Sequence, residues 1–321
     1  MRWVTYASTT SGADRPGLLH GGQVHGLDTL ASLLDLLSAD GGLATAAERA
    51  LRDPSEVVSL DAVRLRAPIP TPPSVRDFLS FEEHARNAAR ARGREVDPVW
   101  YRQPVFYFTN PAAIRGPGED IEISPGSAAF DYEVEVAAVV GHAGMNLSPE
   151  QAEQHIAGYL IFCDWSARDL QAIESRVGLG PAKGKDGATS IGPVLVTPDE
   201  IEPYRSGKGY RLAMSASVNG RHYGGGNWAD IYWSFGQMLS YASRGTRLVP
   251  GDIIGSGTVG TGCILELAGL HGPDKYPYLR PGDTVQLDVD ELGSLTGHVH
   301  PAPDPVPLDL SMPSQQVELR E

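Results

Sequence analysis

The chain is poor in several things, and each shortage narrows what it can be. Only two of its 321 residues are cysteines, Cys163 and Cys263, too few for the disulfide framework of a small secreted scaffold. Buried thiols in a reducing compartment are the plainer reading. No apolar run approaches the roughly 18 residues that a membrane span needs, and the opening MRWVTYASTT lacks the basic-then-apolar order of a signal peptide. The expectation is a soluble cytoplasmic protein with no membrane partner. Cationic residues are in deficit: 26 Lys and Arg face 40 Asp and Glu, a formal charge of −14. That argues against binding nucleic acid or anionic membrane, both of which need basic surface. It leaves an anionic small substrate open, because a few local cations or a metal outweigh the global field. Internal repeats, a phosphate-binding loop and a dinucleotide-binding glycine turn are all missing. The GGG at 224–226 reads as opening a helix but lacks the G-x-G-x-x-G spacing and a preceding buried strand.

Turn formers, by contrast, are plentiful. The 37 glycines and 25 prolines are spread along the chain and imply many turns, hence many strands. Residues 1–65 read as a small N-terminal domain, with strands in MRWVTYAS and GLLHGGQVHGLD. Helical spacing follows in LDTLASLLDLLSADGG, through Leu27, Leu30, Leu33, Leu34 and Leu37, and in ATAAERALRDP. RLRAPIPTPPSV reads as a proline-rich linker into a second domain, residues 66–321. There, strand-like runs recur: PVFYF, FDYEVEVAAVVG, GYLIFCDW, GPVLVT, YRLAMSASVNG, GDIIGSGTV, ILELAGL and DTVQLDVDEL. Helical spacing appears in FEEHARNAARARG, in SPEQAEQHIAGY, and in NWADIYWSFGQMLSYASRG with Asn227 as N-cap and Gly245 as stop. Strands dominate and helices are interspersed, without the strict alternation of a parallel α/β protein. The expected class is mainly β with interspersed helices, α+β.

One constellation carries chemistry on its face. In FDYEVEVAAVVG the period of a strand puts Glu133 and Glu135 on the same side, and like charges there are costly to desolvate. Asp164 ends the apolar run GYLIFCD. If the two strands are neighbours, three carboxylates converge on hard oxygen ligation suited to Mg²⁺, Mn²⁺ or Ca²⁺. The bland alternative is an edge strand whose acids face water, and on these three residues the two readings are even. Other candidates are weaker alone. His84, early in a helical stretch with Asp77 upstream, is more often a surface or cap residue. Arg168 and Gln171 in WSARDLQ lie three apart and can share one face, though a surface ion pair of Arg168 with Asp169 or Glu174 is the ordinary account. Lys185, among glycines, is a flexible cation able to approach a ligand. Glu266 in ILEL is an acid among apolar neighbours and needs a partner.

Taken together these stretches resemble the fumarylacetoacetate hydrolase family, over roughly residues 70–300 and in the family's order. FDYEVEVAAVVG resembles its metal-binding strand, DWSARDLQ its signature, and IGPVLVTPDEI, IYWSFGQMLSYASRGTRLVPGD and GSGTVG the segments that follow. The resemblance implies a mixed β-sandwich or β-roll catalytic domain behind a small N-terminal domain, and a homodimer. It implies a divalent metal, Mg²⁺ first with Mn²⁺ or Ca²⁺ as alternatives, held by Asp77, Glu133, Glu135 and Asp164. The family's C–C hydrolases place an acid ligand seven positions before a catalytic histidine, follow that histidine with a neutral polar residue, and orient it with a distant glutamate in a strand. Asp77, His84, Asn87 and Glu266 fit that pattern. Lys185, Arg168 and Gln171 are implied as oxyanion donors, and Tyr107 and Thr258 as substrate contacts. The turn between GTVG and ILEL is shorter than the family's, and the tract from Gln171 to Lys185 differs in length. The implied activity is hydrolysis of a C–C bond in a β-diketone acid, fumarylacetoacetate- or acylpyruvate-like. A 2-oxo acid hydratase, decarboxylase or tautomerase on the same platform is the alternative. The segment RGREVDPVWYRQ is expected to set the substrate's tail, and the bound metal to make the site locally cationic.

Overall fold

The structure, a computed structural model, describes residues 1–29, 31–91 and 93–307; Leu30, one of the apolar positions of the first helical stretch, lies outside them. Every side chain of the strand Val134–Val140 is buried. It pairs antiparallel with Ile156–Asp164 on one side and with Ile253–Gly255 on the other, and a strand covered on both faces reads as a continuous apolar run. The acid-bearing stretch is therefore central, which removes the edge-strand reading. Around it runs a twelve-stranded sheet. Beyond Ile156–Asp164 come Thr189–Val196 and then Arg2–Ala7, Asp14–His20, Gln23–Gly26 and Glu56–Ser59. Beyond Ile253–Gly255 come Val75–Phe78 and Phe106–Thr109. A second sheet of five strands includes Ala213–Val218, Thr284–Val289 and Gly293–His300.

Period 2 divides the packing. Val134, Val136 and Ala138 enter one core, with Met214, Ala216, Leu287 and Leu295 of the second sheet. Ala137 and Val139 enter the other, with Trp3, Leu33, Leu36, Ala46 and Ala50 from the first 65 residues. Each fully buried valine contributes about 1.5–3 kcal/mol. Glu133 and Glu135 share the parity of Ala137 and Val139, so the acids continue that row at one end. The result is mainly β with interspersed helices, as the turn-rich sequence implies. The first 65 residues join the main sheet through Arg2–Ala7, which pairs with Thr189–Val196. The proline-rich stretch adds Leu65–Arg66 to that sheet and buries Ala67 and Ile69. No described helix is long and apolar enough to cross a membrane.

Several element assignments change. ILELAGL is a helix, Ile264–His271, not a strand; its buried Ile264 and Leu267 lie three apart, and the Asp131 carboxylate accepts from the N–H groups of Ile264 and Leu265 at its start. The GGG at 224–226 lies inside the strand Arg221–Asn227, paired with Ala213–Val218. Asn227 caps only a short turn, Trp228–Asp230; the α-helix runs Phe235–Ala242 behind a capping box of Ser234 and Gln237. The stretch from Leu27 contracts to a helix Leu33–Ser38, capped by Ser32. SPEQAEQHIAGY is helical only over Pro149–Glu153, because Ile156 already belongs to the sheet. Glu82–Ala91 and Gly42–Arg52 form where the spacing puts them.

Candidate active site

Register carries the four acids to one place. Val134 pairs with Cys163 and Glu135 with Phe162, so Glu133 and Asp164 lie at the same level of adjoining strands. Asp77 pairs with Gly255 and Tyr107 on the far side of Val134–Val140. Asp77, Glu133, Glu135 and Asp164 are all buried, and each offers a carboxylate oxygen within 4.8 Å of the others. Two glycines of GSGT make room. A Cβ on Gly255 would stand 2.5 Å from Asp77 Oδ1. Gly257 takes φ +78°, open to glycine, and there its N–H donates to Glu135 Oε2 at 2.9 Å and Asp77 Oδ1 at 3.2 Å.

Desolvation disfavours charge on these acids, and their mutual repulsion adds to it. Burial and the charges of Asp77, Glu133 and Asp164 push Glu135 well above the carboxylate range. Burial lifts Asp77 to about 6 and Asp164 to about 8, against the pull of Lys185. Glu133 goes the other way: burial opposes its charge, but Lys185 and Arg168 outweigh it and hold the carboxyl low. Lys185 is not a flexible cation. It is buried, its Nζ 2.6 Å from Glu133 and 2.5 Å from Asp164, because burial leaves an ammonium little choice but to sit between carboxylates. Nor does Arg168 form a surface pair with Asp169 or Glu174. It is buried, with Nη2 2.8 Å from Asp131 and 2.7 Å from Glu133. Asp164 Oδ1 has no hydrogen-bond partner among the described residues. Five buried carboxylates, Asp131 included, face two cations, so a divalent ion would still leave one formal negative charge. The expectation of a locally cationic site is corrected by that count.

A second group is complete in itself. The helix Glu82–Ala91 packs against Ile264–His271, which brings His84 Nδ1 to 2.7 Å from Glu266 Oε2. Asn87, one turn on from His84, donates to Glu266 Oε1 at 2.9 Å, and the Thr261 N–H donates to the same oxygen at 3.1 Å. Burial opposes charge on both partners, yet Glu266 holds His84 above its ordinary value and His84 holds Glu266 below. An ionised Glu266 accepts, so Nδ1 carries the proton and Nε2 is left for the cavity that His84 lines.

That cavity, of about 330 Å³, brings together Asp77, His84, Tyr107, Glu133, Glu135, Arg168, Gln171, Lys185 and Thr258. Glu266 and Asp164 stand behind it, reached through His84 and Lys185. Arg168 Nη1 lies 3.4 Å from Gln171 Oε1. The Tyr107 hydroxyl donates to Asp164, and Thr258 Oγ1 to Glu135 at 3.4 Å, so both touch the acids. None of the described residues of RGREVDPVWYRQ lines the cavity; Trp100 braces it from behind, its indole N–H donating to the Leu79 carbonyl at 2.7 Å. Sequence reasoning missed Asp131. It accepts from Arg168 Nε at 2.8 Å while capping the helix that carries Glu266, and so links the two groups. Its signal was present, since Asp131 extends the alternation of Glu133 and Glu135.

Comparison with known proteins identifies the family. Residues 74–300 match the family described as fumarylacetoacetate (FAA) hydrolase, C-terminal. The oxaloacetate tautomerase YisK of Bacillus subtilis is 31% identical over 249 residues, 76% of either chain. Fumarylacetoacetase of Arabidopsis thaliana is 30% identical over 292 residues, 71% of this chain and 69% of that one. The crystal structure of maleylpyruvate hydrolase from Sphingobium sp. SYK-6, in complex with manganese(II) ion and pyruvate, shares the fold: TM-score 0.70 over 94% of this chain and 100% of that one, at 20% identity. The family match takes in every acid of the cluster and both members of the His84–Glu266 pair, and the chain belongs to the fumarylacetoacetate hydrolase family.

Proposed function

We propose that this chain is a metal-dependent hydrolase of a C–C bond in a β-diketo acid. The observation that carries the reading is the His84–Glu266 pair, 2.7 Å apart and lining the same cavity as the four acids. Asp77, Glu133, Glu135 and Asp164 suit a hard divalent cation: all four are buried oxygen donors that repel one another, and Asp164 Oδ1 lacks a partner among the described residues. Mg²⁺ is the ion of first choice. Once bound, such an ion supplies Lewis acidity toward the oxygens of the diketone or its enolate.

The protein's own groups account for the rest. Glu266 fixes the His84 tautomer and stabilises the imidazolium, so Nε2 takes a proton from water as the water oxygen bonds to the substrate carbonyl carbon. The C–C bond then breaks, its electron pair passes to the adjoining carbon as an enolate, and His84 returns the proton. The products are a carboxylate and a ketone or 2-oxo acid. Lys185, Arg168 and Gln171 all line the cavity, and in this reading they offset the negative charge on the attacked oxygen, a contribution of about 3 kcal/mol per donor. Tyr107 and Thr258 position substrate through the acids they touch. Similarity to an oxaloacetate tautomerase supports a second reading, in which His84 moves a proton at carbon and no bond between carbons breaks.

A screen of β-diketo acids against metal-stripped and Mg²⁺-restored protein separates the two. Hydrolysis consumes the diketone absorbance and releases one new carboxylic acid for each bond cleaved. Enol–keto interconversion without new acid would replace the hydrolase reading with the tautomerase one.

A further inference from the structure

Cys263 stands where a helix usually places a hydroxyl or a carboxylate. It is the residue before Ile264–His271, a position that favours Ser, Thr, Asp or Asn because their oxygens accept from the first N–H groups. The Cys263 side chain caps nothing, and the Asp131 carboxylate takes those N–H groups instead. The thiol points at Glu266 Oε2, 3.4 Å away, the same oxygen that meets His84 Nδ1 at 2.7 Å. Glu266 Oε1 is held separately, by Asn87 and the Thr261 N–H. Two protons that a metal ion can displace, one on sulfur and one on nitrogen, therefore converge on one oxygen. His84, Cys263 and Glu266 are all buried, and each offers a ligand atom within 4.8 Å of the other two. Cys163, by contrast, packs in the apolar core beside Val134.

We infer that His84, Cys263 and Glu266 form a second metal site, selective for Zn²⁺, which inhibits the enzyme when it is filled. Nitrogen, sulfur and a single carboxylate oxygen are a zinc donor set, whereas Mg²⁺ keeps to oxygen and leaves this site alone. Zinc bonds of about 2.0–2.3 Å ask His84 Nδ1 and Glu266 Oε2 to part by about 0.7 Å. His84 lines the cavity, which gives the ion its way in. Zn²⁺ bonds to Nδ1, to the sulfur and to Oε2. Cys263 releases its proton to solvent, and the Nδ1 proton moves to Nε2, because a neutral imidazole bound through one nitrogen carries its hydrogen on the other. The ion's charge is balanced by the thiolate and the carboxylate, so none is buried unpaired. Nε2 then has no lone pair to offer the cavity. Binding rests on the geometry alone; inhibition rests on the proposed reading of His84 as base.

The test uses the full chain with Mg²⁺ in excess. Co²⁺ is the spectroscopic probe, because a thiolate ligand gives it an intense charge-transfer band in the near ultraviolet that oxygen ligands do not. The band should appear in the wild-type chain, survive Cys163→Ser and vanish in Cys263→Ser, where serine keeps a donor to Glu266. Absence of the band from the wild-type chain overturns the inference without requiring any variant to fold. A band that Cys163→Ser abolishes and Cys263→Ser keeps overturns it too. Equilibrium dialysis against Zn²⁺ should find one more ion per wild-type chain than per Cys263→Ser chain, that ion binding about 100-fold more weakly or worse in the variant. Equal zinc content and affinity in the two count against the site. With a β-diketo acid as substrate, Zn²⁺ should inhibit the wild-type protein at about 100-fold lower concentration than Cys263→Ser; equal sensitivity overturns the inhibitory role. If no diketo acid is cleaved, the hydrolase reading fails separately, and the cobalt band still decides the site.

Discussion

The four acids and the His84–Glu266 pair are equally buried, yet folding leaves them in opposite states. In the pair, opposite partners meet at 2.7 Å, Asn87 and the Thr261 N–H fill the remaining acceptor sites, and each partner favours the charge of the other. Among the acids, Asp77, Glu135 and Asp164 are pushed toward protonation by burial and by one another, and one oxygen of Asp164 goes unbonded among the described residues. Lys185 relieves only part of the repulsion. The pair is thus finished by the fold, whereas the acids keep a repulsion that, on the proposed reading, a cation from outside offsets. A group that is complete can do the same proton chemistry at every turnover. One that is incomplete is, on the proposed reading, a binding site.

The sharpest way to break that comparison is to unbalance the complete half. Glu266→Gln keeps the shape and removes the charge that holds His84 above its ordinary value. We expect kcat for diketo-acid cleavage to fall by about 10²–10³-fold. His84 acts as a base only when neutral, so activity is lost as pH falls through its pKa. In the wild-type protein that limb should lie above 6.5, and in Glu266→Gln it should move to lower pH. A pH–rate profile with an unmoved limb, or undiminished turnover, would remove the pair from the mechanism. Metal content, read by elemental analysis, should be the same in both proteins.

A smaller effect is expected at the link between the halves. Asp131→Asn replaces one accepting oxygen with a donor that faces either Arg168 or the N–H groups of Ile264 and Leu265. Either way one contact turns repulsive. Loss of a buried charge-assisted bond costs about 1–3 kcal/mol, and we expect kcat to fall about tenfold through loosened Arg168 and Glu266. The acid limb of the pH profile should shift as well, a change that general weakening of the fold would not produce. An unchanged limb with a lowered melting temperature would mean that Asp131 holds the fold and nothing more.

How much of this was legible in sequence depended on which physical rule placed each residue. That Glu133 and Glu135 share one face was readable from alternation alone, although the pair by itself favoured an edge strand. Asp164 needed the register of two strands, which alternation does not give, so the residues left cage and edge strand level until family resemblance tipped the balance. Asp77 and His84 came from that resemblance. The burial of Lys185 and Arg168 was hidden because their partners lie 21 to 52 residues away, beyond any local pattern. ILELAGL fits either period over so short a run; it became a helix because Asp131, 133 residues away, caps its N-terminus.

The incomplete half makes the smallest and most specific prediction, a pH-dependent gain in stability on adding metal. Asp77 and Asp164 have folded pKa values of about 6 and about 8, above the ordinary 3.8. Stability from keeping their protons is therefore complete below pH 3.8 and is lost as pH rises through 6 and 8, because over that window the folded chain binds more protons than the unfolded one. Glu133, held low, does its titrating on the acid side of this range. The metal-free protein should lose melting temperature from pH 6 to pH 9. On the proposed reading, Mg²⁺ binds only the folded, deprotonated acids. At 100 times its dissociation constant it adds about 2.7 kcal/mol, or roughly 5 °C for a chain of this size. Protons compete for the same oxygens, so the gain should be larger at pH 8.5 than at pH 6, and calorimetry should show protons released as the ion binds. A gain independent of pH would mean that the ion sits elsewhere, because Asp77 and Asp164, held above the ordinary carboxylate range, can take a cation only by giving up protons.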